Sequence, residues 1–251
     1  MERLEDVRYA TQDGVAIITI DRPERMNAFR AQTVDELVAC FEQAWVDREV
    51  GAIVLTGAGD RAFCAGGDQK QRAETGDYGP SASGRMQLDL LHRLIRDVPK
   101  PVIAAVNGDA VGGGHVLQVL CDLSVAAETA RFGQAGPRVG SFDAGFGTGY
   151  LARIVGEKRA RELWFLCELI DAKTAKEWGL VNRVVKSAEV LPTALEMGKR
   201  AASLSPTAIA FLKHAFNTDT EHLAGTQRLA DQGLALFVET DEAAEGAAAF
   251  S

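Results

Sequence analysis

A run of apolar positions broken only by Thr19, Val15-Ala16-Ile17-Ile18-Thr19-Ile20, stands directly after Asp13-Gly14, with another apolar run before that pair. An Asp-Gly pair between two apolar runs predicts a tight hairpin, so the chain should open with an antiparallel strand pair. The pattern then changes. Leu37, Phe41 and Trp45 recur every four residues behind Thr33-x-x-Glu36, which predicts a helix opened by a capping box and burying one face. Short apolar runs at Ala52 to Leu55, Pro101 to Val106 and Leu123 to Ala127 predict buried strands, separated by helices at Leu88 to Ile95 and Gly112 to Cys121. Strands alternating with helices over short connections predict an α/β core. Beyond Phe146 the pattern is helical, near 157–167, 173–178, 188–203, 206–217 and 222–237, and only Val181 to Val185 is expected as a strand. The polar stretch Lys70 to Gly84 reads as a flexible loop beside a pocket. The expected division is a core over 1–190 and a helical part over 191–251.

Composition narrows the classes of function. With 251 residues, 47% of them hydrophobic, the chain can bury a sizeable core. A net charge of −8 argues against nucleic acid or an anionic membrane surface as partner, since both require a broad basic face. An anionic ligand would need a local cluster, and Arg22, Arg25 and Arg30, with Arg61, Lys70 and Arg72, offer one. Cys40, Cys64, Cys121 and Cys167 have neither metal-ligand nor C-x-x-C spacing and read as buried thiols of a reducing compartment. The N-terminus carries no signal-peptide pattern and no apolar run reaches the ~20 residues of a membrane span, so a cytoplasmic location is expected.

The chemistry should lie in two glycine clusters, each following a strand. They are Phe63-Cys64-Ala65-Gly66-Gly67-Asp68 and Asn107-Gly108-Asp109-Ala110-Val111-Gly112-Gly113-Gly114. Glycine lets a backbone approach a ligand closely, and the first amides of a helix have no internal partners. Two such amides meeting at one point would form an oxyanion hole. Neither cluster has P-loop or dinucleotide-fold spacing, and either one alone would more simply serve tight packing of helix on strand.

Taken with Arg22-Pro23-x-x-Met26-Asn27-Ala28-Phe29, Phe132-Gly133-Gln134 and Ala175-x-x-Trp178-Gly179-Leu180-Val181, these segments resemble the crotonase, or enoyl-CoA hydratase/isomerase, superfamily over nearly the whole chain. The resemblance implies a ββα-spiral core with a helical trimerisation part, assembled as a homotrimer or dimer of trimers. It implies an acyl-CoA substrate whose thioester oxygen lies between the amides of Gly67 and Gly113. Met26, Ala28, Ala65, Gly66, Asp68 and Gln69 would follow the CoA chain, with Gln134 and Gly136 nearer the acyl group. No metal or tightly bound cofactor is implied.

Hydratases of this kind use two glutamates, at positions held here by Val116 and Gly136, so the paired carboxylates that add water to a double bond are missing. The segments Phe132 to Asp143 and Gly156 to Trp164 are instead similar to two subfamilies: ring-opening 2-ketocyclohexanecarboxyl-CoA hydrolases and ring-closing 1,4-dihydroxy-2-naphthoyl-CoA synthases. Both imply Ser141 and Asp143 against the acyl group and a loop tyrosine, here Tyr78. The synthase branch further implies a bicarbonate in the room left by Gly136. Met26-Asn27-Ala28-Phe29-Arg30 and Ile95 to Lys100 favour the hydrolase pattern, although the C-terminal tyrosine of both subfamilies is replaced by Val238. Asp143 stands in an apolar setting that should raise its pKa and suit proton transfer, against a plain helix-capping role. His115, amid apolar neighbours, reads as a core histidine. The rival from another class is a non-catalytic acyl-CoA-binding protein.

Overall fold

The computed structural model describes residues 4–250. Met1 to Arg3, part of the signal-peptide argument, and Ser251 lie outside them.

The chain opens with β1 (Val7–Gln12) and β2 (Val15–Ile20), an antiparallel hairpin. Its turn residues, Asp13 and Gly14, both have positive φ, as the predicted tight turn requires. Helix α1 (Ala31–Val46) follows, then β3 (Ala52–Gly57), β4 (Ala62–Cys64), α2 (Gln69–Thr75) and α3 (Leu88–Asp97). Next come β5 (Val102–Val106), β6 (Asp109–Val111), α4 (Gly113–Leu120), β7 (Leu123–Ala127) and β8 (Arg131–Gly133). Helices α5 (Phe146–Val155) and α6 (Glu157–Leu166) lead to β9 (Ile170–Asp171), α7 (Ala172–Glu177) and β10 (Arg183–Val185). The chain ends in α8 (Val190–Ala202), α9 (Pro206–Thr218), α10 (Leu223–Phe237) and α11 (Asp241–Phe250).

Two sheets result. The larger has the order β1-β2-β3-β5-β7-β10, parallel from β2 onward, and the smaller β4-β6-β8-β9, parallel over its first three strands. Each circuit of the chain places one strand in the large sheet, the next in the small sheet, and then a helix. This is the ββα spiral that the resemblance implies. Strands β3 and β5 are buried along their whole length, which explains their unbroken apolar runs: a parallel sheet covered on both faces has no solvent side. Helix α8 packs on the large sheet, with Gly198 against Val15. Helix α9 is tied down by the buried Lys213, whose Nζ donates to the carbonyls of Ile95 and Lys100 at 3.0 Å and pairs with Asp122 at 2.7 Å.

Several local expectations are corrected. Helix α1 starts at Ala31 with Arg30 as its N-cap, and Thr33 accepts from the Arg30 amide, so Thr33 is the third helical residue rather than the cap. Glu36 turns away to accept from the amides of Glu5, Asp6 and Val7 at 2.8–2.9 Å, tying the helix to the first strand. Leu37 and Phe41 are fully buried but Trp45 is 39% exposed. The Lys70–Gly84 stretch is not all loop, because its beginning lies in α2. The late strand starts at Arg183 rather than Val181, and β9 is an unforeseen second one.

Candidate functional site

Strands β4, β6 and β8 are parallel neighbours, so their C-terminal ends emerge side by side at one edge of the small sheet. Those ends carry Ala65-Gly66-Gly67-Asp68, Gly112-Gly113 and Gln134-Ala135-Gly136. Register pairing of Cys64 with Ala110 brings the two glycine turns into contact: a Cβ on Gly66 would stand 3.0 Å from the Gly113 nitrogen. A cavity of about 500 Å³ opens over this junction.

The Gly113 amide begins α4 behind Gly112, which has a φ of 56°, and it has no carbonyl one turn earlier to receive it. Gly67 pairs with Phe29 in an isolated parallel bridge. The ladder bonds run from Phe29 N to Gly66 O at 2.8 Å and from Asp68 N to Phe29 O at 2.9 Å, leaving the Gly67 amide out of the ladder. Two unspent amides thus stand on adjoining turns. The Tyr78 ring lies over Gly67, where a Cβ would be 2.7 Å from its Cε1, and Gln69 donates to the Tyr78 hydroxyl at 3.2 Å. The predicted loop tyrosine therefore reaches the glycine-turn side of the cavity.

Each predicted site residue lines this one cavity: Met26, Ala28, Ala65, Gly66, Gly67, Asp68, Gln69, Tyr78, Gly113, Gln134, Gly136, Ser141 and Asp143. Their side chains are not equally free. Asp68 is buried, pairs with Arg22 at 2.9 Å and caps α2 by accepting from Gln71 N, so its carboxylate is a structural strut rather than a ligand for CoA. Arg22 is buried with it, and Arg30 makes a two-pronged pair with Asp6 at 2.7 and 2.9 Å. The expected basic cluster thus loses its two best members to internal ion pairs. Arg25, Lys70 and Arg138 are the cationic residues on the cavity wall. The Gln134 side chain is held by His115 Nδ1 at 3.1 Å; that histidine is buried and its pKa is pushed down to about 4 by burial, as a core histidine should be.

Asp143 precedes α5. Its Oδ1 accepts from the Gly145 amide at 2.9 Å, so the carboxylate does serve the start of the helix. Burial nonetheless dominates and raises its pKa; the Gly145 and Gly147 amides oppose that shift and the charge of Asp231 adds to it. A Cβ on Gly147 would lie 2.8 Å from Val116 Cγ2 and 3.0 Å from Asp143 Oδ2, which puts the carboxylate beside the Val116 side chain. At Gly136 the corresponding space is taken by main chain: a Cβ would meet Ser141 O at 2.8 Å, and Ser141 N donates back to Gly136 O at 2.9 Å. The glycine is required for that tight return.

Three polar wall residues on helices had no motif to announce them. His92 comes from α3, and Gln227 and Asp231 come from α10. Among the described residues no group of three His, Cys, Asp or Glu side chains is arranged to hold a metal ion. All four cysteines are buried and unpaired, Cys40 and Cys64 with pKa values pushed up to about 12, chiefly by burial. No helix of the described residues is long and apolar enough to cross a membrane.

Comparison with known proteins agrees with this fold. An enoyl-CoA hydratase from Mycobacterium avium subsp. paratuberculosis superimposes with a TM-score of 0.87 at 27% identity, covering 99% of this chain and 100% of that one. A carnitinyl-CoA dehydratase from Mycobacterium avium is 32% identical, with a TM-score of 0.84 over 96% of this chain and 95% of the other. An enoyl-CoA hydratase/isomerase from Xanthobacter autotrophicus is 33% identical, with a TM-score of 0.79 over 98% and 89%. The profile described as enoyl-CoA hydratase/isomerase matches residues 10–251, and with the two-sheet spiral and the paired glycine turns already in place, the chain belongs to that family.

Proposed function

We propose that this chain is an acyl-CoA enzyme that cleaves a carbon–carbon bond β to the thioester, opening a cyclic β-keto acyl-CoA by hydrolysis. The observation that carries this reading is the placing of Asp143, a carboxyl raised by burial, beside Val116 in the cavity that the Gly67 and Gly113 turns also line. Val116 cannot move a proton, and Gly136 is closed off by the Ser141–Phe142 main chain. The proton-transfer group has therefore shifted to a different element from the one hydratases use.

In the proposed reaction water adds to the ring ketone and the bond to the α-carbon breaks. Its electron pair passes onto the thioester, and the oxygen is held by the Gly67 and Gly113 amides until the α-carbon is protonated. Asp143 takes part in the proton transfers, with the Ser141 and Tyr78 hydroxyls as hydrogen-bond donors. CoA runs along Met26, Ala28, Ala65, Gly66 and Gln69, with Arg25 and Lys70 near its phosphates. Ring closure through the same enolate uses the same groups.

The proposal includes a cytoplasmic homotrimer or dimer of trimers, supported by apolar side chains left bare on the last helices: Phe211, Phe216, Leu229 and Leu236 are each about three-quarters exposed. No tightly bound cofactor is part of it. Enoyl-CoA hydration is the second reading, favoured by the names of the structural neighbours. Cleavage of 2-ketocyclohexanecarboxyl-CoA, measured beside hydration of crotonyl-CoA, decides between them. The expected result is cleavage, lost by about 10²–10⁴-fold in Asp143→Asn with CoA-ester affinity kept. Faster hydration than cleavage would favour the second reading. Cleavage undiminished in Asp143→Asn would remove Asp143 from the proton transfers, and no turnover of any thioester would leave a binding protein.

A further inference from the structure

Three polar side chains at the acyl end of the cavity have no role in this scheme: His92, Gln227 and Asp231. Gln227 is buried and used at both ends. Its Oε1 accepts from the Phe146 amide at 2.7 Å and its Nε2 donates to Asp231 Oδ1 at 2.7 Å. Asp143 accepts from the preceding amide, Gly145. The first turn of α5 therefore holds one carboxylate directly and a second through a glutamine. Gln227 lies so close over Gly145 that no Cβ would fit there, which fixes the α10 register against the site. His92 is 1% exposed, lines the same cavity, and has no hydrogen-bond partner on either ring nitrogen. Neither nitrogen is open to the cavity, so the ring packs there as a neutral wall beside Phe146.

We propose that Asp231, held by Gln227, is a second catalytic carboxylate, sharing the proton transfers with Asp143 across the acyl end of the cavity next to His92. The assignment of steps rests on the cleavage reading above. Burial raises both carboxyls. Around Asp231 the Gln227 hydrogen bond and the charges of Arg85 and Arg93 oppose that rise while Asp89 adds to it; the Asp231 charge in turn raises Asp143. In the scheme Asp231 starts ionised, with the Gln227 donor and the nearby Arg85 and Arg93 on its side, and Asp143 starts protonated. Environments that push two carboxyls apart divide base from acid. Asp231 takes the proton of the attacking water as its oxygen bonds to the ketone carbon. Asp143 gives its proton to the α-carbon as the enolate collapses. One proton enters the pair and one leaves, so its total charge is unchanged, and a single transfer from Asp231 to Asp143 resets it.

Asp231→Asn is the test, because asparagine keeps an acceptor for Gln227 and so keeps the α10 anchor. The single-turnover rate on 2-ketocyclohexanecarboxyl-CoA should fall by about 10²-fold or more, with unchanged affinity for acetyl-CoA and partial recovery in Asp231→Glu. Carbon-13 NMR of labelled aspartate carboxyls, which needs no substrate, should show the Asp143 midpoint moving down in the same variant. An unmoved Asp143 midpoint, or an undiminished rate, overturns the proposal. Should the wild type hydrate crotonyl-CoA and cleave nothing, the cleavage reading fails alone, and the same variants are read on hydration.

Discussion

His92 and His115 are both fully buried, and burial pushes the pKa of each down to about 4 from an ordinary 6.5. The folded protein therefore binds fewer protons than the unfolded chain between those values. The stability these neutral rings confer is complete above about pH 6.5 and is lost as pH falls toward about pH 4. At about pH 5 the unfolded ring is roughly 97% protonated and the folded one roughly 10%, a linkage cost of about 2 kcal/mol per histidine, or about 4 kcal/mol for the two. That is a large part of a typical domain's ~5–15 kcal/mol. Asp143, Asp231 and Asp97 act in the opposite sense, since burial raises their folded pKa values and they gain relative stability on acidification. The histidine part is isolated by difference. Urea unfolding at about pH 7.5 and about pH 5 should show a loss smaller by about 2 kcal/mol in each of His92→Leu and His115→Leu than in the wild type. The fixed cost of leaving Gln134 without His115 cancels, because it is present at both pH values. Equal losses in wild type and variants would mean that the rings titrate near 6.5 in the folded protein, and the dry, neutral histidines inferred here would be wrong.

Asp68→Asn should keep the cap on α2 but leave Arg22 buried against the more distant Asp6 alone, costing about 3–5 kcal/mol in urea unfolding with little effect on substrate affinity of the surviving protein. Phe216→Glu, placing a charge on the bare face of α9, should shift the sedimenting species from a trimer or hexamer toward the monomer; an unchanged assembly would move the interface elsewhere.

The fold was legible because most of its signals are local. Asp13-Gly14 sets the hairpin, and the apolar runs of β3, β5 and β7 are the parallel strands. The glycine turns were readable for the same reason: each sits within a few residues of its strand, and the parallel small sheet then aligns them. What the sequence hid was every interaction joining distant segments. Arg22 and Arg30 looked like ligand groups because Asp6 and Asp68, which neutralise them, are far away along the chain. Glu36 looked like half of a capping box because nothing local shows that it will instead bind the amides at the start of β1. His92, Gln227 and Asp231 sit on amphipathic helices without a motif, where a polar residue reads as solvent-facing until the helix is docked.

Gly147 gives the most direct test of how closely the site depends on the place of Asp143. It lies in the first turn of α5 in an ordinary helical conformation, so alanine gains about 1 kcal/mol of helix propensity there. The added methyl would stand 2.8 Å from Val116 Cγ2 and 3.0 Å from Asp143 Oδ2, nearer than such atoms tolerate. Val116 is fully buried in the core, whereas Asp143 is only half-buried, so the carboxylate is the group that gives way. Gain and clash roughly offset in stability, and Gly147→Ala should unfold within about 1 kcal/mol of the wild type. Catalysis should not be spared, since a misplacement approaching 1 Å can cost about 10²-fold. The expected outcome is a turnover rate lower by roughly 10- to 100-fold with an unchanged affinity for CoA esters, whose proposed path lies on the far side of the glycine turns. A full wild-type rate in a well-folded Gly147→Ala would mean that the reaction does not depend on where the Asp143 carboxylate stands beside Val116.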